Sequence, residues 1–154
     1  WTVAYPDQTE FPPAGDKRWD CEALIVWRGK LHALTKWRTS GGVPVDGTAL
    51  YRLDSPREGV TNTLVKVGTK TGLGGWVTAA DVSPDNARVA VLTHFPAPGI
   101  WTFDARAAGT NFLSRPLKRY LLDPAMGQIE AIAWTAKNEV VVTNEPGRMW
   151  TFRL

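Results

Sequence analysis

The feature that most constrains the fold is an internal repeat. Three segments share the order strand, tight turn, strand: CEALIVWRGKLHALTK, TAADVSPDNARVAVLTH and IEAIAWTAKNEVVVTNE, covering Cys21–Lys36, Thr78–His94 and Ile129–Glu145. They superpose with one gap, a turn that is one residue shorter in the first copy. The shared columns hold Ala23, Ala80 and Ala131, then Leu31, Val89 and Val140, then Thr35, Thr93 and Asn144. The chain is therefore built from a unit that recurs about every 50 to 57 residues.

A third strand is predicted after each pair. ALYRLD, GIWTFD and RMWTFR align so that the columns hold Leu50, Ile100 and Met149, then Tyr51, Trp101 and Trp150, then Leu53, Phe103 and Phe152. A fourth, outer strand is expected at residues 62–68 and again at residues 111–117, whereas the third repeat has no room for one before Leu154. The opening WTVAYP, residues 1–6, is interpreted as the outer strand that closes the last repeat or belongs to a further one upstream.

Short runs of Val, Thr, Trp, Tyr and Phe between Gly, Pro, Asp and Asn indicate an all-β fold. The repeat length is close to that of a four-stranded propeller blade. The sequence thus predicts one β-propeller segment over residues 1–154, with antiparallel blades at about 20–68, 77–117 and 128–154. Three blades leave the ring incomplete, because propellers have about four to eight. The expected partners are the remaining blades of a longer propeller, another protein, or a second copy in a homodimer that forms a six-bladed ring.

Composition narrows the classes of function. Of 154 residues, 44% are apolar and 21% charged, which is typical of globular material. The net charge is only +3 and Lys and Arg are scattered, so nucleic-acid binding is not indicated. No apolar window is long enough to predict a transmembrane segment. The single Cys21 excludes a disulfide within the chain.

One stretch resembles a known family. SPDNARVAVLTH, Ser83 to His94, resembles the Ser-Pro-Asp-Gly repeat of TolB-like and WD40-like bacterial β-propellers, with Asn86 in place of the glycine. Asn tolerates the left-handed backbone conformation that such a turn needs. DCEALIVWRGKLHALTK and IEAIAW are distantly similar to inner-strand starts of NHL or phytase-like propellers. The resemblance implies a bacterial protein exported to the periplasm or cell envelope, and it leaves the function open because propellers host many activities.

The repeat also predicts a shared rim. In a propeller, the start of the first strand and the end of the second strand lie at the same mouth of the central channel. The predicted rim face comprises Asp20, Glu22, Lys36, Trp37, His94, Phe95, Gln128, Glu130, Asn144 and Glu145.

Carboxylates at this rim suggest a metal site as one hypothesis. Glu22 and Glu130 occupy one column, where the middle repeat has Ala79, and Asp81 follows two residues later. Calcium-dependent propeller lactonases and phytases resemble this arrangement, and Ca²⁺ binds six to eight oxygens. The alternative is that each carboxylate accepts hydrogen bonds from the backbone in a hydrated channel, with no cofactor.

Two classes of function follow. The leading prediction is a binding or assembly module without enzymatic activity, part of a larger propeller or of a cell-envelope complex. The alternative is a calcium-dependent hydrolase in which His94 and a glutamate act as an acid–base pair; no serine stands in a nucleophile elbow. An aromatic platform for a sugar or peptide is a further interpretation of Trp19, Trp37 and Trp76, and the loop at residues 38–47 is a candidate partner contact.

Overall fold

The computed structural model describes residues 1–11, 15, 17–38, 46–107 and 109–154. These residues contain thirteen β-strands and two 3-10 turns. The strands are β1 Thr2–Ala4, β2 Asp20–Trp27, β3 Lys30–Lys36, β4 Gly47–Leu53, β5 Thr61–Thr63, β6 Val65–Thr71, β7 Gly75–Val82, β8 Arg88–Pro96, β9 Gly99–Asp104, β10 Pro116–Leu121, β11 Ile129–Ala136, β12 Glu139–Asn144 and β13 Met149–Arg153. The turns are Phe112–Ser114 and Pro124–Met126. The predicted all-β class is confirmed. Over these residues the structure has no helix with the length and apolarity that crossing a membrane requires.

Three antiparallel sheets follow one another along the chain. Sheet 1 contains β2, β3, β4 and β6, sheet 2 contains β7 to β10, and sheet 3 contains β11, β12 and β13, each with its strands side by side in chain order. The small strand β5 lies outside sheet 1 and pairs in parallel with β1, from Thr2 opposite Thr61 to Ala4 opposite Thr63. Residues 1–6 therefore do not complete the last sheet, which was the first of the two predicted alternatives, because β1 lies beside the connection between β4 and β6.

The Ser-Pro-Asp-Asn segment forms the predicted turn between β7 and β8. The Ser83 hydroxyl accepts hydrogen bonds from the backbone N–H groups of Ala87 (3.2 Å) and Arg88 (2.9 Å) and donates to the Asp85 carboxylate (2.8 Å). Asn86 adopts a left-handed conformation with φ of +55°. Asn is one of the few residues that tolerate this conformation, which explains how it replaces glycine here.

The observed strand register corrects the sequence alignment by one residue. Ala23 lies opposite Leu34, Ala79 opposite Leu92 and Ala131 opposite Thr143, so Ala79 and not Ala80 is the counterpart of Ala23 and Ala131. The cause is turn length. The second copy has a longer connection than the third, whereas the alignment assumed that the two are equal.

The fourth strands begin later than predicted. In sheet 1, β6 spans Val65–Thr71 and overlaps only part of the predicted 62–68. In sheet 2, Phe112–Ser114 form a 3-10 turn in which the Asn111 side chain accepts from the Leu113 N–H, and β10 follows at Pro116–Leu121. Phe112 and Leu113 are buried because they fill the space between sheets 1 and 2. Sheet 3 has three strands among the described residues.

Two hydrophobic cores lie between successive sheets. The first joins Ile25 and Trp27 of β2 to Val89, Val91 and Phe103 of sheet 2. The second joins sheet 2 to sheet 3, and its members include Ala79, Leu92, Ile100, Ile132, Trp134, Val140 and Val142. The repeat tryptophans Trp101 and Trp150 pack against these cores.

Arginines join the turn ends of the sheets. Arg28 stacks on the ring of Trp27 at 4.7 Å and donates to the backbone carbonyls of Ala105 (3.0 Å) and Arg106 (2.9 Å), which follow β9 of sheet 2. Arg88 of sheet 2 stacks on Trp134 at 4.7 Å and donates to the Asn138 side chain (2.7 Å) in sheet 3. These bonds hold the turn ends together, and the opposite end of the sheets carries the candidate site.

Candidate functional site

A β-bulge near the start of each first strand positions the site. The register breaks between Cys21 and Ala23, between Val77 and Ala79, and between Ile129 and Ala131. The extra residues are Glu22, Thr78 and Glu130. Since β2 contacts β7 and β7 contacts β11, these three residues form a row along one end of the sheets. A bulge changes the direction of the side chain of its extra residue, so the bulges determine where the side chains of Glu22, Thr78 and Glu130 point.

Glu22 and Lys36 form an ion pair within the rim. The Lys36 ammonium lies 2.9 Å from the Glu22 carboxylate, and both side chains are largely buried. Burial raises the pKa of Glu22, Lys36 opposes that shift, and the negative charges of Asp20 and Glu130 add to it. The Glu22 carboxylate is therefore close enough to Glu130 to respond to its charge.

Glu130 and Glu145 share a single amide. The Gln128 side chain donates to the Glu130 carboxylate (2.8 Å) and to the Glu145 carboxylate (2.9 Å). Among the ion pairs of the described residues, neither of these two glutamates has a cationic partner. A neutral amide leaves both charges uncompensated, so this part of the rim is electronegative.

His94 completes the cluster. Its ring is half-buried, and its Nδ1 atom is buried without a hydrogen-bond partner. Burial lowers the pKa of His94; the charges of Glu130 and Glu145 raise it and that of Lys36 lowers it. Glu130, Glu145 and Lys36 are thus the charged groups in the electrostatic environment of His94.

Two other predicted rim residues have packing roles. Asn144 is buried, donates to the Met126 carbonyl (2.7 Å) and accepts from the Arg148 N–H (2.8 Å), so it holds the turn after β12. Phe95 remains 48% exposed and packs on Trp76 with ring centroids 5.6 Å apart.

Asp20 is the first residue of β2, and Trp37 directly follows β3. Asp20 pairs with Arg38 at 2.5 Å. Trp37 and Trp19 line a cavity of about 360 Å³ with Tyr51 at its wall, whereas Trp76 packs elsewhere, against Phe95. Of the three tryptophans of the predicted aromatic platform, two therefore line one cavity and Trp76 does not. Most of the candidate loop at 38–47, residues 39–45, lies outside the described residues.

Asp81 does not join Glu22 and Glu130, which corrects the predicted calcium ligand set. Its carboxylate accepts from the backbone N–H groups of Val82 (2.8 Å) and Trp134 (2.7 Å), linking sheet 2 to sheet 3. It lies three residues beyond Thr78, roughly 10 Å along the strand. Within the described ranges, no group of three or more His, Cys, Asp and Glu side chains is arranged to hold a metal ion.

Sequence reasoning missed Thr78. It is buried, and its hydroxyl has no hydrogen-bond partner among the described residues. The alignment hid it by placing Ala79 beside Glu22 and Glu130. The alanine that follows each bulge residue, at 23, 79 and 131, was the signal that could have identified it.

Acidification is expected to destabilise the chain through its two histidines. Burial lowers the pKa of both His32 and His94 below the ordinary value near 6.5. Below about pH 6.5 the unfolded chain then binds more protons than the folded chain. The contribution of the two histidines to stability is therefore fully present above that pH and is lost as the pH falls through their pKa values in the folded chain. We expect a lower melting temperature at about pH 5.5 than at about pH 8, and a smaller difference for His94→Gln. NMR titration of the imidazoles measures both pKa values directly; a midpoint at or above 6.5 for His94 would contradict the assignment.

Neither the known protein-family models nor the curated proteins match this chain.

Proposed function

We propose that the three sheets are successive blades of a β-propeller and that the chain is a binding or assembly module without catalytic activity. The observation that carries the blade interpretation is the position of the first strands. β2 contacts β7 and β7 contacts β11, while the second and third strands of each sheet extend outward in order. This is the order of strands expected around a channel.

The turn chemistry supports the same proposal. Ser83 and Asp85 form the hydrogen bonds of a turn closed by Asn86 in the left-handed conformation, which is what the resemblance to TolB-like and WD40-like repeats requires. On that resemblance we also propose export to the periplasm or cell envelope. The proposed partners are a protein that binds the rim and the blades that complete the ring.

The charge of the rim defines the class of group that it binds. Lys36 is already paired with Glu22, whereas Glu130 and Glu145 share only the Gln128 amide. A lysine or arginine side chain of a protein partner would compensate these two carboxylates with charge-assisted hydrogen bonds. Phe95, exposed in the same rim, offers apolar contact beside them. We therefore propose a basic segment of a protein as the ligand of the rim.

A displayed library of random peptides tests this proposal. Peptides selected on the wild-type chain are expected to be enriched in Lys and Arg, and their affinity is expected to fall about tenfold for Glu130→Gln/Glu145→Gln, since each exposed charge pair contributes up to roughly 1 kcal/mol. The double variant Glu58→Gln/Glu139→Gln removes the same charge elsewhere and serves as the control. Selection of peptides without basic residues, or equal binding by both double variants, would count against the rim as the binding site.

A further inference from the structure

A cavity of about 290 Å³ lies between sheets 1 and 2, at the end of the sheets opposite the rim. Its wall on the side of sheet 1 is formed where β2 ends and β3 begins, and its other wall is the connection between β9 and β10 at Gly109. The lining side chains of sheet 1 and its first turn are Trp27, Arg28, Lys30, His32 and Arg52. Both walls thus belong to this chain, and the volume is near the lower limit of pockets that hold small molecules.

One cross-strand pair distinguishes this wall from the equivalent position in the next sheet. His32 lies opposite Arg52 in sheet 1, and the same register position of sheet 2 holds Ala90 opposite Thr102. Ala90 and Thr102 are both buried, and Ala90 packs in the core between sheets 2 and 3. A histidine and an arginine therefore line the cavity at a position where the repeat otherwise has two small residues.

The cavity carries an excess of positive charge. Arg28, Lys30 and Arg52 are cationic, and among the ion pairs of the described residues the only carboxylate that pairs with them is Asp54, 2.5 Å from Lys30 and 2.7 Å from Arg52. Arg28 donates instead to three backbone carbonyls of the connection between β9 and β10, which carry no net charge. Burial lowers the pKa of His32, so its ring adds no charge near neutral pH. Two positive charges are left without a negative partner.

The cavity wall also has hydrogen-bond donors to offer. The bonds to Asp54 use Nε and Nη2 of Arg52 and one hydrogen of the Lys30 ammonium group. Nη1 of Arg52 and the other two ammonium hydrogens are therefore available to a ligand. Trp27 is only 1% exposed, and its indole N–H has no hydrogen-bond partner among the described residues. The cavity thus suits a ligand that supplies acceptors and negative charge.

We propose that this cavity binds a small organic phosphate. A phosphate monoester carries roughly 1.5 to 2 negative charges near neutral pH, which matches the excess of positive charge. Its oxygens accept charge-assisted hydrogen bonds from Arg52 and Lys30. Its apolar body lies against the rings of Trp27 and His32, whose centroids are 5.3 Å apart. The inference does not rest on the proposed function, because the rim lies at the opposite end of the sheets.

An NMR titration of the isotope-labelled whole chain with phenyl phosphate near neutral pH tests the proposal. The Trp27 indole N–H and the His32 ring are expected to show saturable shifts. Arg52→Gln is expected to raise the dissociation constant at least about tenfold, because it removes a charge-assisted hydrogen bond from the ligand. Arg153→Gln removes the same charge from an exposed residue of β13, so it is the matched control and is expected to bind like the wild type.

Two further probes separate the parts of the ligand. Phenol has the apolar body without the charge, and inorganic phosphate has the charge without the body, so each is expected to bind at least about tenfold more weakly than phenyl phosphate. Lys30→Gln, at a side chain 44% exposed, is a second variant that is expected to weaken binding should Arg52→Gln fail to fold. The proposal would be overturned by the absence of a saturable shift at Trp27 and His32, by equal affinity for phenol or for inorganic phosphate, or by equal binding of folded Arg52→Gln and Arg153→Gln.

Discussion

Replacing Phe103 with alanine is expected to lower the free energy of unfolding by about 3–5 kcal/mol, the usual cost of deleting a buried phenyl ring. Phe103 is completely buried between sheets 1 and 2. Its ring lies 6.2 Å from that of Trp101 and 5.8 Å from that of Phe112. Trp101 is anchored by its indole N–H to the Leu73 carbonyl (2.8 Å), so it is not free to move into the space that the deleted ring leaves. Because small domains are stable by only about 5–15 kcal/mol, this loss is a large part of the total.

Denaturant titration measures the effect, and Phe95→Ala is the matched control. It makes the same chemical change at a ring that is half-exposed on the rim, where less apolar surface is lost from the folded state. We expect a loss for Phe95→Ala of about 1 kcal/mol or less. If both variants lost similar stability, Phe103 would not be the centre of the core between sheets 1 and 2.

The repeat made most of the strand order predictable from the sequence. Strand, turn and strand are local patterns, because apolar alternation and turn residues act over a few positions. The Ser83–Asn86 turn and the third-strand columns of Leu50, Ile100 and Met149 were therefore correctly placed.

Errors arose where long-range packing decides the structure. The burial of Phe112 and Leu113 between two sheets turns a strand-like run into a 3-10 turn. No local pattern shows that β1 pairs with β5, nearly sixty residues away. The assignment of Ala80 in place of Ala79 came from assuming equal turn lengths, which only the register reveals.

The rim was predictable in outline and not in detail. Its location was predicted from where first strands begin and second strands end; of its members, the structure pairs Glu22 with Lys36 and joins Glu130 to Glu145 through Gln128. Asp81 was misassigned because a carboxylate that accepts two backbone N–H bonds looks the same in sequence as one that faces a channel. Thr78 was missed because it occupies the same position as Glu22 and Glu130 only through the bulge in β7, which the sequence does not show.

Gly75→Ala is expected to disrupt the rim end of sheet 2 and to cost about 1–3 kcal/mol or more, the range for overpacked sites. A Cβ atom at Gly75 would lie 2.0 Å from the His94 carbonyl oxygen and 3.1 Å from that of Ala97. Both contacts are with backbone atoms of β8 and the turn after it, so no side chain can rotate away. The strand must move, and His94 and Phe95 move with it. The expected result is a lower unfolding midpoint together with changed NMR shifts of the His94 ring.

Gly59→Ala separates the clash from backbone strain. Gly59 has φ of +73° and open space around its Cα, so alanine there carries only the conformational cost of the left-handed region, roughly 1–2 kcal/mol. Gly75 lacks a positive φ, so the cost of its substitution comes from the contact with His94. We expect only Gly75→Ala to alter the His94 titration and to weaken peptide binding at the rim. Unchanged His94 signals in Gly75→Ala would mean that β7 and β8 are not in close contact at this end. The position of His94 relative to Glu130 and Glu145 would then not depend on the absence of a side chain at residue 75.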